Sequence, residues 1–308
     1  MWRETITLCL YLLAGVTAEI EIELASTVSV VVGEDANLTV SYSSTSRPHV
    51  TWSSGDVFAF WNIGENTSVS VSAEYEDRLM VNTSTASIVI ARTRLTDSSL
   101  YSVSLSAVGE RPTSRNVTLR VYELITDVRV AVPTSDIEEG DPDIVLTCAM
   151  NSGTWDLLSW RKDGEMIQGD SRRILAGNEL TIRKVIRGDT GSYSCFVQNP
   201  FSNGSAQGSL SVYYGPDVPR VTITSPGDPS PESYVLVNST VTLNCSSASE
   251  PEAGYVWSVG ESGNTEVPQG AVLTLHHIRL DQAGTYSCIA TNPRLSRSVR
   301  KSLILNVY

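Results

Sequence analysis

The chain has 308 residues, of which 18% are charged, and a formal net charge of −12. A chain of this length accommodates two or three domains. The negative balance argues against electrostatic attraction to nucleic acid or to anionic lipid, both of which the chain would repel. In chain order, residues 1–18 read as a secretory signal. Met1-Trp2-Arg3 is a short positive region, Ile6 to Leu13 an apolar run, and Val16-Thr17-Ala18 a small-residue cleavage site ahead of Glu19. Cleavage removes Cys9 and leaves four of the five cysteines, an even number in an oxidising compartment where disulfides persist.

Residues 19–122 alternate short apolar strands with turn residues, beginning with Ile20, Ile22 and Leu24, then Val28 to Val32 and Leu38 to Val40. Trp52 stands twelve residues after Val40, and the segment closes on Asp97-Ser98-Ser99-Leu100-Tyr101-Ser102-Val103. Residues 123–214 repeat the spacing with cysteines, as Cys148 precedes Trp160 by twelve and Asp189-Thr190-Gly191-Ser192-Tyr193-Ser194-Cys195 closes the segment. Strands are expected here at Ile144–Cys148, Leu158–Lys162, Leu180–Ile182 and Tyr193–Val197, with a tight turn at Lys162-Asp163-Gly164. Tyr213 to Pro219 is rich in Gly and Pro and reads as a short, stiff linker. Residues 216–308 give the third copy, with Cys245, Trp257 and Gly284-Thr285-Tyr286-Ser287-Cys288, and with a proline-rich insertion at Ser225 to Glu232.

This frame is what an immunoglobulin sandwich requires: two sheets ~10 Å apart, one cross-sheet bridge, a tryptophan beside it and a tyrosine pinning the corner. The expected fold is all-β, three tandem immunoglobulin-like β-sandwiches. The first is variable-type and lacks the disulfide; the two that follow are constant-like, of the C2 or I set, with bridges Cys148–Cys195 and Cys245–Cys288. In the first, Val40 and Val103 replace the cysteines. Burying each valine contributes roughly 1.5–3 kcal/mol, comparable with the ~2–4 kcal/mol of a bridge. The extra residues between Trp52 and Tyr101 leave room for two additional strands, Val57 to Ile63 and Val69 to Val71. Arg78 and Asp97 are expected to form an ion pair closing the bottom of this domain. In the third domain Gln282 stands where that aspartate would be and Asp281 is displaced by one, so no such pair is expected there.

The cysteine-free leading domain, the junction Asn199-Pro200-Phe201-Ser202-Asn203 and the linker Tyr214-Gly215-Pro216-Asp217 together resemble the carcinoembryonic-antigen-related cell-adhesion molecules. Hepatocyte cell-adhesion proteins are similar in the same stretches. Lymphocyte receptors of the SLAM type also begin with a cysteine-free domain, but their second domain usually carries an extra disulfide that four mature cysteines do not provide. The resemblance implies that the GFCC′C″ face of the first domain binds its own kind or other ligands across cell junctions.

Alternation draws that face, since residues flanking an inward one point outward. Trp52 inward puts Thr51 and Ser53 outward; Val103 inward puts Ser102, Ser104 and Ser106 outward; Leu119 and Val121 inward put Thr118 and Arg120 outward. Along Val57 to Trp61 one register exposes Val57, Ala59 and Trp61 and the other Phe58 and Phe60, while a bulge would bury the whole run. The first register is preferred because Trp52 already fills the core, which makes Trp61 the expected interface anchor. Sequons at Asn37, Asn66, Asn82, Asn116, Asn203, Asn238 and Asn244 support a glycosylated extracellular protein. A glycan on Asn116 would narrow the face towards its Trp52 and Trp61 strands.

No catalytic elbow, phosphate loop or zinc pattern occurs, and adjacent His276 and His277, taken as strand residues, would face opposite sides. No enzyme activity, metal, cofactor or small-molecule substrate is expected. Nor does any apolar run of eighteen residues or a hydrophobic tail suggest a membrane span or lipid anchor. The expectation is therefore a secreted protein, or a cell-surface ectodomain whose membrane anchor is absent from this sequence. Its partner would be a surface protein, bound homophilically or heterophilically; the other reading is a soluble or truncated immune-type receptor or decoy capturing a heterologous ligand.

Overall fold

The computed structural model describes residues 18–64, 67–225, 234–260, 265–266 and 269–308. The expected leader up to residue 17, the sequon at Asn66 and the proline-rich stretch past Ser225 fall outside them. The first sandwich opens with β1 (Ala18–Glu19), β2 (Glu21–Leu24) and β3 (Thr27–Val31). It continues through β4 (Ala36–Leu38), β5 (Val40–Ser43), β6 (His49–Ser54), β7 (Asp56–Asn62), β8 (Ser70–Val71), β9 (Leu79–Val81) and β10 (Ile88–Ile90). It closes with β11 (Ser99–Ser106), β12 (Glu110–Arg111) and β13 (Thr113–Tyr122). The two larger sheets run β4-β10-β9 and β3-β13-β11-β6-β7-β8, and β2 pairs with β5 and β1 with β12. The second order is that of a variable-type domain, with β7 and β8 as the two added strands.

Period-two alternation builds the core between them. Val40, Trp52, Tyr101, Val103, Leu105, Leu119 and Val121 all lie in one buried cluster. The valine pair thus occupies the interior that the cysteines hold in the other domains. Two tryptophans fill this core, and both are satisfied by neighbouring carbonyls: Trp52 Nε1 donates to Ala86 O at 2.9 Å and Trp61 Nε1 to Thr85 O at 3.3 Å.

The second sandwich comprises β14 (Arg129–Ala131), β15 (Ile137–Glu138), β16 (Asp143–Ala149), β17 (Leu157–Lys162), β18 (Glu165–Met166), β19 (Arg173–Ala176), β20 (Glu179–Arg183), β21 (Gly191–Gln198), β22 (Asn203–Leu210) and β23 (Val212–Tyr213). Its sheets run β14-β16-β20-β19 and β18-β17-β21-β22. The third comprises β24 (Arg220–Thr224), β25 (Tyr234–Val235), β26 (Val241–Ser246), β27 (Gly254–Val259), β28 (Thr265–Glu266), β29 (Val272–Leu275), β30 (Gly284–Asn292) and β31 (Arg297–Val307). Its sheets run β24-β26-β29 and β25-β31-β30-β27-β28. Cys148–Cys195 and Cys245–Cys288 are bonded, with Cα atoms 6.1 and 6.4 Å apart, and Trp160 and Trp257 are buried with them.

The chain divides into two compact units. One holds the residues up to Asp127 with the loop segments Met150–Leu157 and Val197–Gly204; the other holds Val128–Ala149, Leu158–Phe196 and Ser205–Tyr308. No helix among the described residues is long and apolar enough to cross a membrane.

Candidate recognition site

Three strands carry the outward rows of the six-stranded sheet. β11 pairs with β6 so that Ser102 faces Ser53 and Ser104 faces Thr51, and pairs with β13 so that the same serines face Asn116 and Ser114. Small hydroxyl side chains therefore tile the centre of the sheet, and Ser104 and Ser114 share a hydrogen bond of 2.7 Å. Arg120 is exposed on β13, where its guanidinium lies 3.8 Å from Asp156 and is raised in pKa chiefly by the Tyr122 hydroxyl.

The strand β7 corrects the expected register. Ser53 pairs with Val57 but Trp52 pairs with Ala59, so Phe58 is an extra residue, a β-bulge between Trp52 and Ser53. The bulge turns both Phe58 and Ala59 into the core and shifts the parity of everything after them. Trp61 and Ala59 are thus buried, not presented, and Phe60 points outward at 44% exposure. Trp61 goes inside because Thr85 O accepts its indole N–H, a partner that alternation along one strand cannot reveal. Phe58 packs on Tyr75 with ring centroids 4.5 Å apart, which secures the bulged residue in the core.

The result is a compact exposed patch. Val57 is 54% exposed, and Phe60 sits in the row Ser114, Ser104, Thr51, Phe60, Ser70. The ring of His49 lies 5.9 Å from Phe60, and its Nδ1 is held at 3.1 Å by Asn62 Oδ1. One aromatic on a floor of hydroxyls is the arrangement of an interface anchor surrounded by a polar rim. Sequence reasoning found the strand and its need to show an aromatic but missed which one; the signal was Gly55, whose φ of +77° marks the turn that feeds the bulge.

The sequons divide the surface of this sandwich. Asn37 lies outward on β4, opposite Val89, and Asn82 is exposed just after β9, so the three-stranded sheet carries both. Asn116 is exposed on β13 beside Ser102. The patch on β6 and β7 bears none among the described residues. Asn203, Asn238 and Asn244 are likewise exposed. The side chains of Arg78 and Asp97 meet in a buried two-pronged pair of 2.7 and 3.0 Å. His276 and His277 lie just past β29 in an exposed turn, not within a strand, and His277 contacts Asn238. No group of three or more His, Cys, Asp or Glu able to hold a metal occurs among the described residues.

Residues 128–199 and 219–292 match the immunoglobulin-domain family. The second and third sandwiches are therefore immunoglobulin domains. Human hepatic and glial cell adhesion molecule is 32% identical over 191 residues, covering 59% of this chain and 46% of that protein. The chain thus spans about half the length of this relative. A crystal structure of Dpr2 Ig1-Ig2 in complex with DIP-Theta Ig1-Ig3 covers 94% of this chain and 99% of its own at 19% identity, with a TM-score of 0.54, a likeness of immunoglobulin fold. Murine CEACAM1b covers 63% of this chain and 100% of its own at 22% identity and TM-score 0.46, a likeness that assigns no family within the superfamily.

Proposed function

We propose that this is an extracellular cell-recognition protein of adhesion type, which engages a second copy of itself or a related surface immunoglobulin through the Phe60–Val57 patch of its first domain. The single observation that carries the reading is the bulge in β7, which exposes Phe60 on a flat serine surface. The sequon distribution supports it, since Asn37 and Asn82 would clothe the opposite sheet and leave β6 and β7 open. The similarity to a cell adhesion molecule and to a complex between immunoglobulin proteins points the same way. We take the domains as residues 19–122, 123–214 and 216–308.

A second reading, capture of a heterologous ligand at the loop tips, is favoured by one feature. Val108 is 95% exposed at the β11–β12 turn, and Glu110 beside it accepts hydrogen bonds from Ser44, Thr45 and Ser46, fixing the facing loop. The test is sedimentation equilibrium of the deglycosylated chain across the micromolar range, with Phe60→Arg and Val108→Asp in parallel. A reversible dimer lost in Phe60→Arg alone supports self-recognition, and Phe60→Ala should weaken it by about 1–3 kcal/mol. A monomer at every concentration rejects self-association and leaves heterologous capture, with Val108→Asp as the variant to compare.

A further inference from the structure

The second compact unit contains Tyr213 to Pro219, the segment joining β23 to β24, together with the domains on either side. Two consecutive tyrosines in this segment are each covered by a guanidinium. Arg187, from the corner of the second domain, lies 4.2 Å from the Tyr214 ring centroid, and Arg294, from the β30–β31 loop of the third, lies 4.2 Å from that of Tyr213. Neither cation is left to solvent alone. Arg187 grips Glu139 at 2.7 and 2.9 Å and, with its other face, Asp217 at 2.9 and 3.1 Å. Arg294 takes both oxygens of Asp136 across the domain boundary, and Arg297 reaches Glu138 at 2.6 Å.

Between these jaws lies a fully buried amide. Asn292 Nδ2 donates to Tyr214 O, Glu250 O and Ser249 Oγ, while its Oδ1 accepts the backbone N–H groups of Arg294 and Leu295. Tyr214 and Glu250 exchange backbone hydrogen bonds of 3.2 and 3.0 Å, and Asp217 N–H reaches Ala248 O at 2.9 Å. The linker is so close to this loop that a Cβ on Gly215, whose φ is +79°, would stand 2.5 Å from Ala248 O and 2.9 Å from Ser249 Cα. Only glycine fits.

We infer that the junction of the second and third domains is a clamp that makes them one rigid strut, with Arg187 and Arg294 as its jaws and Asn292 as its hub. This does not depend on the recognition reading. A linker that merely tethered would leave its carbonyls and ring faces to water; here the Tyr214 carbonyl and both tyrosine rings are taken by named groups, and bidentate guanidinium–carboxylate pairs fix angle as well as distance. The carboxyls of Asp136, Glu139 and Asp217 are each held below their ordinary pKa, chiefly by hydrogen bonds from these arginines, which keeps the jaws charged on both sides near neutrality.

The experiment is a pulsed electron-resonance distance measurement on the full chain, labelled at the exposed positions Val145→Cys and Val272→Cys. The unaltered junction should give one narrow distribution. Arg187→Ala with Arg294→Ala should broaden it about twofold or more, and roughly 1 M salt on the unaltered chain should broaden it in the same direction. Lysine at both positions should restore only part of the sharpness, because an ammonium supplies neither fork nor plane. A distribution already broad in the unaltered chain would overturn the clamp. One that stays narrow in the alanine variant and in salt would overturn the assignment of the arginines as its jaws.

Discussion

The corners of the first and third domains are built to one plan and differ in how they are held. Each has a 3-10 turn, Leu95–Asp97 or Leu280–Gln282, and each anchors the following strand by a tyrosine hydroxyl that donates back four residues: Tyr101 to Asp97 O at 3.0 Å, Tyr286 to Gln282 O at 2.9 Å. In the first domain the Asp97 carboxylate also takes the Arg94 N–H and the Arg78 guanidinium, with the pair's side chains only 6% and 5% exposed. In the third, Gln282 Oε1 takes the Arg279 N–H in the same way, and the arginine turns instead to Asp281, both nearly 70% exposed. The first domain has a buried ion pair and no disulfide; the third has a disulfide and, among its described residues, no buried ion pair. The turn and the tyrosine are therefore the invariant of the corner, since they satisfy backbone groups that any such strand entry leaves orphaned. The covalent and ionic ties are separable additions.

The largest break in that contrast should come from Arg78→Ala. It strands a buried carboxylate, and breaking a buried pair from one side costs about 3–5 kcal/mol. Native-state hydrogen exchange of the full chain should show β11 amides losing protection by that amount, whereas Arg279→Ala leaves β30 unchanged because its partner is solvated already. Equal losses at both corners would mean that burial of the pair is not what distinguishes them. The reverse operation is reduction of the disulfides. Each bridge typically contributes about 2–4 kcal/mol, so a reductant should lower protection in β21 and β30 and leave β11, whose Val103 is buried in one cluster with Val40, as it was.

Much of this was legible in the sequence because it hangs on one residue type per role. Cys148, Trp160, Tyr193 and Cys195 can each do only one thing at that spacing, and the valines at 40 and 103 announced themselves by standing in it. The departure at Gln282 was equally readable as a missing carboxylate. The face was read less well, for a physical reason. Alternation assumes an unbroken ladder, and β7 breaks its ladder within two residues of its start, so every parity from Ala59 onward inverts. The decisive facts were long-range: Thr85 O waiting for Trp61 Nε1, and Tyr75 stacked on Phe58. Neither is contained in the strand's own pattern. The junction clamp was legible only as a Gly-Pro linker, since its arginines come from loops far away in sequence.

The smallest predicted effect sharpens the same comparison through acid. Burial alone would raise the Asp97 pKa, but the Arg78 guanidinium and the Arg94 N–H more than offset it and hold the carboxyl below its ordinary value of 3.8. In the unfolded chain that restraint is gone. As pH falls through the ordinary value, the unfolded state binds a proton before the folded one does, so the stability this carboxylate contributes is fully present above that value and is lost progressively below it. Asp281 is also held low, by Arg279, but so exposed a pair is screened by solvent and its titration should leave the third domain indifferent. Limited digestion of the full chain with pepsin between pH 4 and about pH 2, mapped by mass, should therefore cut residues 19–122 at progressively higher rates as the pH drops. Asp97→Asn should flatten that dependence, since a neutral amide has no proton to gain, and Asp281→Asn should not change the digestion of the third domain. If Asp97→Asn left the acid sensitivity of the first domain as steep as before, the ion pair would not be the element that sets it, and the contrast between the two corners would reduce to the disulfide alone.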